Sequence, residues 1–374
     1  MLTKFDVQNF RNFGSVPLTV DLISQKNYEF STHSIDHSVI KHSLVYGRNG
    51  SGKSNLGLAL LDITSHINIG DVNKSLRNNY LNANIKQNNG EPNGAHFKYE
   101  FKFGDDTVSY QYIKKEAQKT LFEGLSINEE IVLTLDRNND KFFVNLAGTE
   151  NLSRNVVDTD ISAVKYVKSN AVLDPDNKNC QIFKKFIDFV SGMVYFRTLT
   201  GNADFYGQAL DTDRLSRSII ENDKVSDFEN FLNEAGVSCK LGISGNSDDK
   251  QIAFEFDNKK IPFSVVASTG TMSLGVFYYW WLKLESNKLT FAYIDEFDAY
   301  YHYSLAELLI KRITSTDCQS MITTHNLAIM SNDILRPDCY FVMSDKLYPL
   351  YDLIDKDLRK AHNLSKIFKG LDYD

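Results

Sequence analysis

Gly47-Arg48-Asn49-Gly50-Ser51-Gly52-Lys53-Ser54 follows the apolar run Ser43-Leu44-Val45-Tyr46 and precedes Asn55-Leu56-Gly57-Leu58-Ala59-Leu60-Leu61. A G-x-x-x-x-G-K-[ST] pattern between a buried strand and a helix is a phosphate-binding loop. Gly47, Gly50 and Gly52 let successive backbone N–H groups turn inward around a phosphate, where a Cβ would collide. Lys53 offers a point charge to the β- and γ-phosphates, Ser54 a hydroxyl to Mg²⁺, and the helix N-terminus a further attraction for the anion. The expected ligand is a nucleotide. Asn49, Ser51 and Asn55, on the same loop and helix start, complete its local contacts.

A second set of residues points to the same phosphates. Leu289-Thr290-Phe291-Ala292-Tyr293-Ile294 reads as a buried strand ending in Asp295-Glu296. In phosphate-loop ATPases a strand-terminal aspartate steadies the Mg²⁺ water shell, and the following glutamate polarises the attacking water. Ser320-Met321-Ile322-Thr323-Thr324-His325 has the same form, one strand–helix step further on, with helix-forming Ser304 to Ile313 between. That is where a γ-phosphate-sensing histidine belongs. Upstream, Ala267-Ser268-Thr269-Gly270-Thr271 opens a long apolar helix from Met272 to about Leu284. A hydroxyl-and-glycine turn at a helix N-terminus is another anion site, although capping alone would explain Ser268. The expected catalytic residues are Glu296, His325 and Lys53, and the expected metal ligands are Ser54 and Asp295.

Bulk properties narrow the class. The chain has 374 residues, 42% of them hydrophobic and 24% charged, which suffices for one large or two modest domains. Acidic residues outnumber basic ones, 48 to 41, so no global basic field advertises nucleic acid. The cysteines (Cys180, Cys239, Cys318, Cys339) are scattered and read as reduced thiols. His33, His37 and His42 lack a carboxylate or cysteine at ligand spacing and read as surface-loop residues. No apolar run reaches the ~20 residues of a membrane span. The start of the chain has no signal-peptide core, so a cytoplasmic protein is expected.

Along the chain, Phe5-Val7-Phe10 and Val16-Leu18-Val20-Leu22 alternate as strands do. Residues 71 to 95, rich in Asn and Gly, read as a loop around a short helix. His96 to Phe103, the turn Gly104-Asp105-Asp106 and Val108 to Tyr112 form a predicted hairpin; Ile131 to Leu135 and Lys141 to Val144 form another. From about 150 to 236 the period becomes helical, as in Ile182-Phe183-Phe186-Ile187-Val190. No sustained heptads predict a coiled-coil arm. The expected fold is α/β, a mainly parallel sheet around the phosphate loop with an antiparallel β subdomain and a helical insertion. The expected domains are an N-terminal lobe over 1–150, a mainly helical insertion over 151–250 and a C-terminal lobe over 251–374.

The order of these motifs resembles the ABC-type ATPases of the SMC, RecF and OLD branch. Val7-Gln8-Asn9-Phe10-Arg11-Asn12-Phe13 is similar to that branch's first strand, which implies that Asn12 lies beside the nucleotide. Ser268-Thr269-Gly270-Thr271 resembles its degenerate signature motif, and Asp295-Glu296-Phe297-Asp298-Ala299 with Tyr301-His302 resembles its Walker B and D-loop region. Arg359-Lys360-Ala361-His362-Asn363-Leu364 with Ile367-Phe368-Lys369-Gly370 resembles the C-terminal signature of small stand-alone bacterial AAA-family ATPases encoded in phage-defence loci. The resemblance implies ATP and Mg²⁺ as cofactors. It also implies a homodimer or higher homo-oligomer in which Ser268 and Gly270 of one head close on ATP held by the other. Such a switch would control a separate effector, a nuclease or toxin. The alternative is a DNA-repair ATPase of the RecF or SMC type, with DNA as partner. The stretch after His325 is too short for the Toprim domain of OLD nucleases, so nuclease activity is not expected here. A Q-loop glutamine has only two candidates, Gln87 and Gln111.

Overall fold

The computed structural model describes residues 1–67, 79–85, 94–197, 205–207, 215–246, 250–286, 288–298 and 301–371. The strand-forming sequence sorts into two large sheets according to its hydrophobic pattern. The alternating segments build an antiparallel sheet: β1 (Leu2–Gln8), β2 (Leu18–Asp21), β6 (Ala95–Phe103), β7 (Asp106–Glu116), β8 (Lys119–Ile127), β9 (Glu130–Asp136) and β10 (Lys141–Val144). Their order is β10-β9-β8-β7-β6-β1-β2. On β6, Ala95, Phe97, Tyr99 and Phe101 are buried while the residues between them are not, the mark of a sheet covered on one face. Both predicted hairpins form, the first turning at Gly104 with φ +69°. A small hairpin, β3 (Ile35–Asp36) and β4 (Val39–Ile40), precedes the second sheet.

Segments without that alternation build the mainly parallel sheet: β5 (His42–Gly47), β11 (Met193–Arg197), β12 (Phe205–Gly207), β16 (Phe291–Asp295), β17 (Gln319–Thr323), β18 (Tyr340–Met343) and β19 (Leu347–Pro349). Their order is β12-β11-β16-β17-β5-β18-β19, with β11 to β18 parallel and both edges antiparallel. Every residue of β5, β16, β17 and β18 is buried, as expected of a sheet covered on both faces.

Strand β11 departs from the sequence reading. Met193-Val194-Tyr195-Phe196-Arg197 lies inside the span expected to be mainly helical, yet it is the strand beside β16. The helices on either side serve different sheets. Before it, α3 (Ala163–Asn170) and α4 (Lys178–Ser191) pack under the antiparallel sheet. After it, α5 (Leu215–Glu221) and α6 (Val225–Glu234) pack on α8 (Thr269–Glu285), with α5 and α7 (Phe263–Val266) also against the small sheet β13 (Leu241–Ser244), β14 (Gln251–Phe256) and β15 (Lys259–Pro262). Further along are α9 (Tyr303–Thr314) and α10 (Leu364–Lys369). Asn332 ties the start of the C-terminal segment to the body, its Nδ2 donating to the carbonyls of Arg359, Lys360 and His362. Among the described residues no helix is long and apolar enough to cross a membrane.

The helical stretch after the phosphate loop, α1 (Lys53–Leu60) and α2 (Asp62–Ile67), lies between the two large sheets. A Cβ on Gly57 would collide with the rings of Tyr293 and Tyr195 from the parallel sheet. On the other side, Tyr99 of the antiparallel sheet donates to the Ala59 carbonyl at 3.0 Å. Asp62 then enters the antiparallel core, where it accepts from Tyr80 and Tyr112 at 2.9 Å and from Lys114 Nζ at 2.6 Å.

Candidate nucleotide-binding site

The C-terminal ends of β5, β16 and β17 meet at one cavity of ≈ 550 Å³. Asn49, Gly50, Gly52, Lys53, Ser54, Asn55, Glu296, Asp298 and His325 line it. Residues far apart in sequence converge because the parallel register aligns the strands: Ile294 pairs with Ile322, and Thr323 with Val45. The glycines are there for geometric reasons. Gly50 and Gly52 adopt φ +79° and +103°, in the left-handed region. A Cβ on Gly52 would also fall 2.5 Å from Asn12 Nδ2, and one on Gly47 2.5 Å from the Met343 carbonyl oxygen. Asn12 lies outside the cavity lining but braces the loop, its Oδ1 accepting from Asn55 Nδ2 at 2.6 Å, while Arg11 Nη1 donates to Asn55 Oδ1 at 3.2 Å. Gly47 and Ser51 form the loop behind the lining residues.

Lys53 is buried and donates to its own loop, to the carbonyls of Gly47 at 2.8 Å and Arg48 at 3.0 Å. Burial pushes its ammonium below the ordinary lysine value, against the opposing pull of Asp295 and Glu296. A desolvated cation whose hydrogen bonds among the described residues go to neutral carbonyls is suited to an incoming anion. Asp295 is fully buried behind the cavity wall: Oδ1 accepts from Thr323 Oγ1 at 2.7 Å and Oδ2 from Tyr195 OH at 2.9 Å. Glu296 turns the chain at φ +52°, its N–H donating to Thr323 Oγ1 at 2.8 Å. One threonine hydroxyl thus fixes both acidic residues. Thr324 fixes Asp298 in the same way, at 2.8 Å. His325 is exposed on the rim; partial desolvation of its ring and then the nearby Lys53 hold its imidazole below the ordinary value, which favours the neutral form.

Ser268 and Gly270 do not line this cavity. Ser268 caps α8, accepting from the Thr271 N–H at 3.2 Å, and it lies exposed on the surface. Gln111 is exposed on β7 and borders a different groove, with Asp6, Gln8 and His96 among its neighbours; Gln87 lies outside the described residues, as does Ala299 of the D-loop region. Of the three histidines read as surface-loop residues, His33 contacts the Ile334 carbonyl and His37 is exposed beside Asp36, but His42 departs from that reading: it is buried in β5 against Ser320. Sequence reasoning missed Tyr195, Arg197 and the bracing role of Thr323 and Thr324. The signal for the first two was a short apolar run ending in a polar residue, the same form as β16 and β17.

Residues 43–331 match the AAA_21 family, described as "AAA domain, putative AbiEii toxin, Type IV TA system". No curated protein sequence matches the chain. Similar solved structures include an SMC head bound to the C-terminal winged-helix domain of ScpA (TM-score 0.49, 15% identity, covering 93% of this chain and 96% of that one). Others are the SMC head domain from Thermotoga maritima (TM-score 0.43, 15% identity, 93% and 98%) and a ScpA-bound Smc head from Pyrococcus furiosus (TM-score 0.47, 14% identity, 93% and 95%). The family match spans most of the chain, and the chain belongs to the AAA_21 family.

Proposed function

We propose that this AAA_21-family chain hydrolyses ATP with Mg²⁺ at the cavity around Lys53, and that ATP held between two copies switches a separate effector in abortive-infection defence. The observation that carries the reading is the convergence on one cavity of the phosphate loop, a carboxylate and a histidine from three strands. Lys53 and the loop N–H groups bind and orient the phosphates. Ser54, on the lining, would hold Mg²⁺, and Asp295, buried behind the wall with both oxygens bonded, would act on it only through its water shell; the ion would supply charge neutralisation at the phosphates. Glu296, on the lining, accepts the proton of the attacking water. His325, in its neutral form, can donate one N–H to the γ-phosphate.

The two-copy part rests on Ser268-Thr269-Gly270. Ser268 and Thr269 of that turn are exposed, and the turn follows Val265 and Val266, which are 73% and 45% exposed. An apolar collar beside an anion-suited turn fits the face of a second copy better than open solvent.

Glu296→Gln keeps the side chain's shape and removes the proton acceptor. The variant should bind ATP and lose turnover by at least about a hundredfold. Turnover at the wild-type rate contradicts the assignment of the base. In that background, ATP should move the chain to a dimer on sizing, and Ser268→Arg should keep it monomeric. Identical elution of the two variants would return Ser268 to helix capping alone.

A further inference from the structure

Arg197 ends β11 directly beside Asp295, its partner in the parallel register. Strand alternation sets its direction. Phe196 points away and packs on Trp280 at 5.2 Å, whereas Tyr195, two residues before Arg197, reaches the Asp295 carboxylate. Arg197 therefore emerges on the face that carries the acidic pair. Its Nε and Nη2 each lie 3.4 Å from Glu296 Oε2, and Nε lies 3.6 Å from Asp295 Oδ2. Lys53 does not compete for these carboxylates, because it donates to its own loop.

Two further facts define what this contact does. Glu296 lines the nucleotide cavity and Arg197 does not, so the guanidinium meets the glutamate from outside the cavity. Glu296 Oε1 makes no hydrogen bond among the described residues, while Oε2 carries both guanidinium contacts. We propose that Arg197 is the positioning residue of Glu296: it holds one carboxylate oxygen from behind and leaves the other for the attacking water. The inference rests on Glu296 being the base.

The arrangement answers a physical need. Glu296 sits in a left-handed turn on a side chain with several rotatable bonds, and its backbone contact with Thr323 does not fix the carboxylate. A planar guanidinium with two donors on one oxygen restricts that freedom, and a lysine's point charge does so less well. Arg197 acts through another residue and touches no phosphate, so its loss should appear in kcat and leave nucleotide binding intact.

The test compares steady-state ATP hydrolysis by the full chain and its Arg197→Ala, Arg197→Gln, Arg197→Lys and Glu296→Gln variants, with binding of a fluorescent ATP analogue measured separately. Arg197→Ala and Arg197→Gln should each lose kcat on the order of tenfold with little change in KM or analogue affinity. Arg197→Lys, which keeps a cation on a long stem, should recover part of the loss; it and the glutamine variant also guard against a folding defect in the alanine variant. Wild-type kcat in both neutral variants, with Glu296→Gln inactive, overturns the positioning role alone. A loss confined to KM overturns it too. Wild-type turnover in Glu296→Gln, or none in the wild type, removes the base and the proposal with it.

Discussion

Lys114 and Lys53 are both buried; Lys53 opens α1, and Lys114 meets Asp62 at the start of α2. They are held in opposite ways. Lys114 is closed on Asp62 at 2.6 Å, each side chain 1% exposed, with Tyr80 and Tyr112 filling the remaining acceptor positions. Lys53 is open: its donors rest on two loop carbonyls, and the nearby Asp295 is satisfied by Thr323 and Tyr195 instead. A closed pair satisfies its charges internally and fixes the antiparallel sheet to α2. An open cation, desolvated and held by neutral groups, keeps its charge for a ligand. The same two residue types therefore give a clamp in one region and a binding site in the other.

The largest expected effect comes from opening the clamp. Lys114→Met leaves the Asp62 carboxylate buried without its cation and should cost about 3–5 kcal/mol of stability in denaturant unfolding. Adding Asp62→Asn should recover part of that loss, because the amide oxygen still accepts from the tyrosines without carrying a charge. A loss below about 1 kcal/mol for Lys114→Met would mean that the pair is not what holds α2 to the sheet.

A smaller effect sharpens the comparison by using a buried base whose hydrogen-bond partner is a neutral hydroxyl. His42 on β5 contacts Ser320 at 2.9 Å, and burial followed by the Lys41 charge lowers its pKa to about 3. The unfolded imidazole titrates near 6.5, so between these values the unfolded state binds the extra proton. The contribution is fully present above about pH 6.5 and is lost as pH falls toward 3. About 2 kcal/mol should disappear between pH 7 and pH 5, and His42→Asn should flatten that slope. An unchanged slope would place the acid sensitivity elsewhere, such as in buried His66, whose pKa burial also lowers.

These two regions also differ in how far the sequence disclosed them. The phosphate loop, the Asp295-Glu296 strand end and His325 were legible because each follows a short run with an apolar centre, and a parallel sheet leaves functional groups at such ends. Arg197 follows the same rule but was hidden by helical periodicity on both sides of β11. Strand β8 was illegible for another reason. Its buried positions include Thr120 and Glu123, while Leu121 and Phe122 are only partly buried, so its pattern runs against the usual one. Glu123 is inside because it accepts from Tyr110, Ser162 and the N–H groups of Ala163 and Val164, partners that no local pattern reveals. Ser268 could be read as a cap or as an anion site, and its exposure away from the cavity leaves the second use to another copy.

The contrast between the open and the closed lysine can be tested most directly by thermal unfolding of the wild type, Lys53→Ala and Lys114→Met, each with and without Mg-ATP. Ligand at a hundredfold over its Kd adds about 2.7 kcal/mol to a folded state that binds it. Lys114→Met should start from a lower midpoint and still rise with Mg-ATP. Lys53→Ala should start near the wild type and fail to rise. A Lys53→Ala midpoint that climbs with Mg-ATP as far as the wild type's would contradict the account.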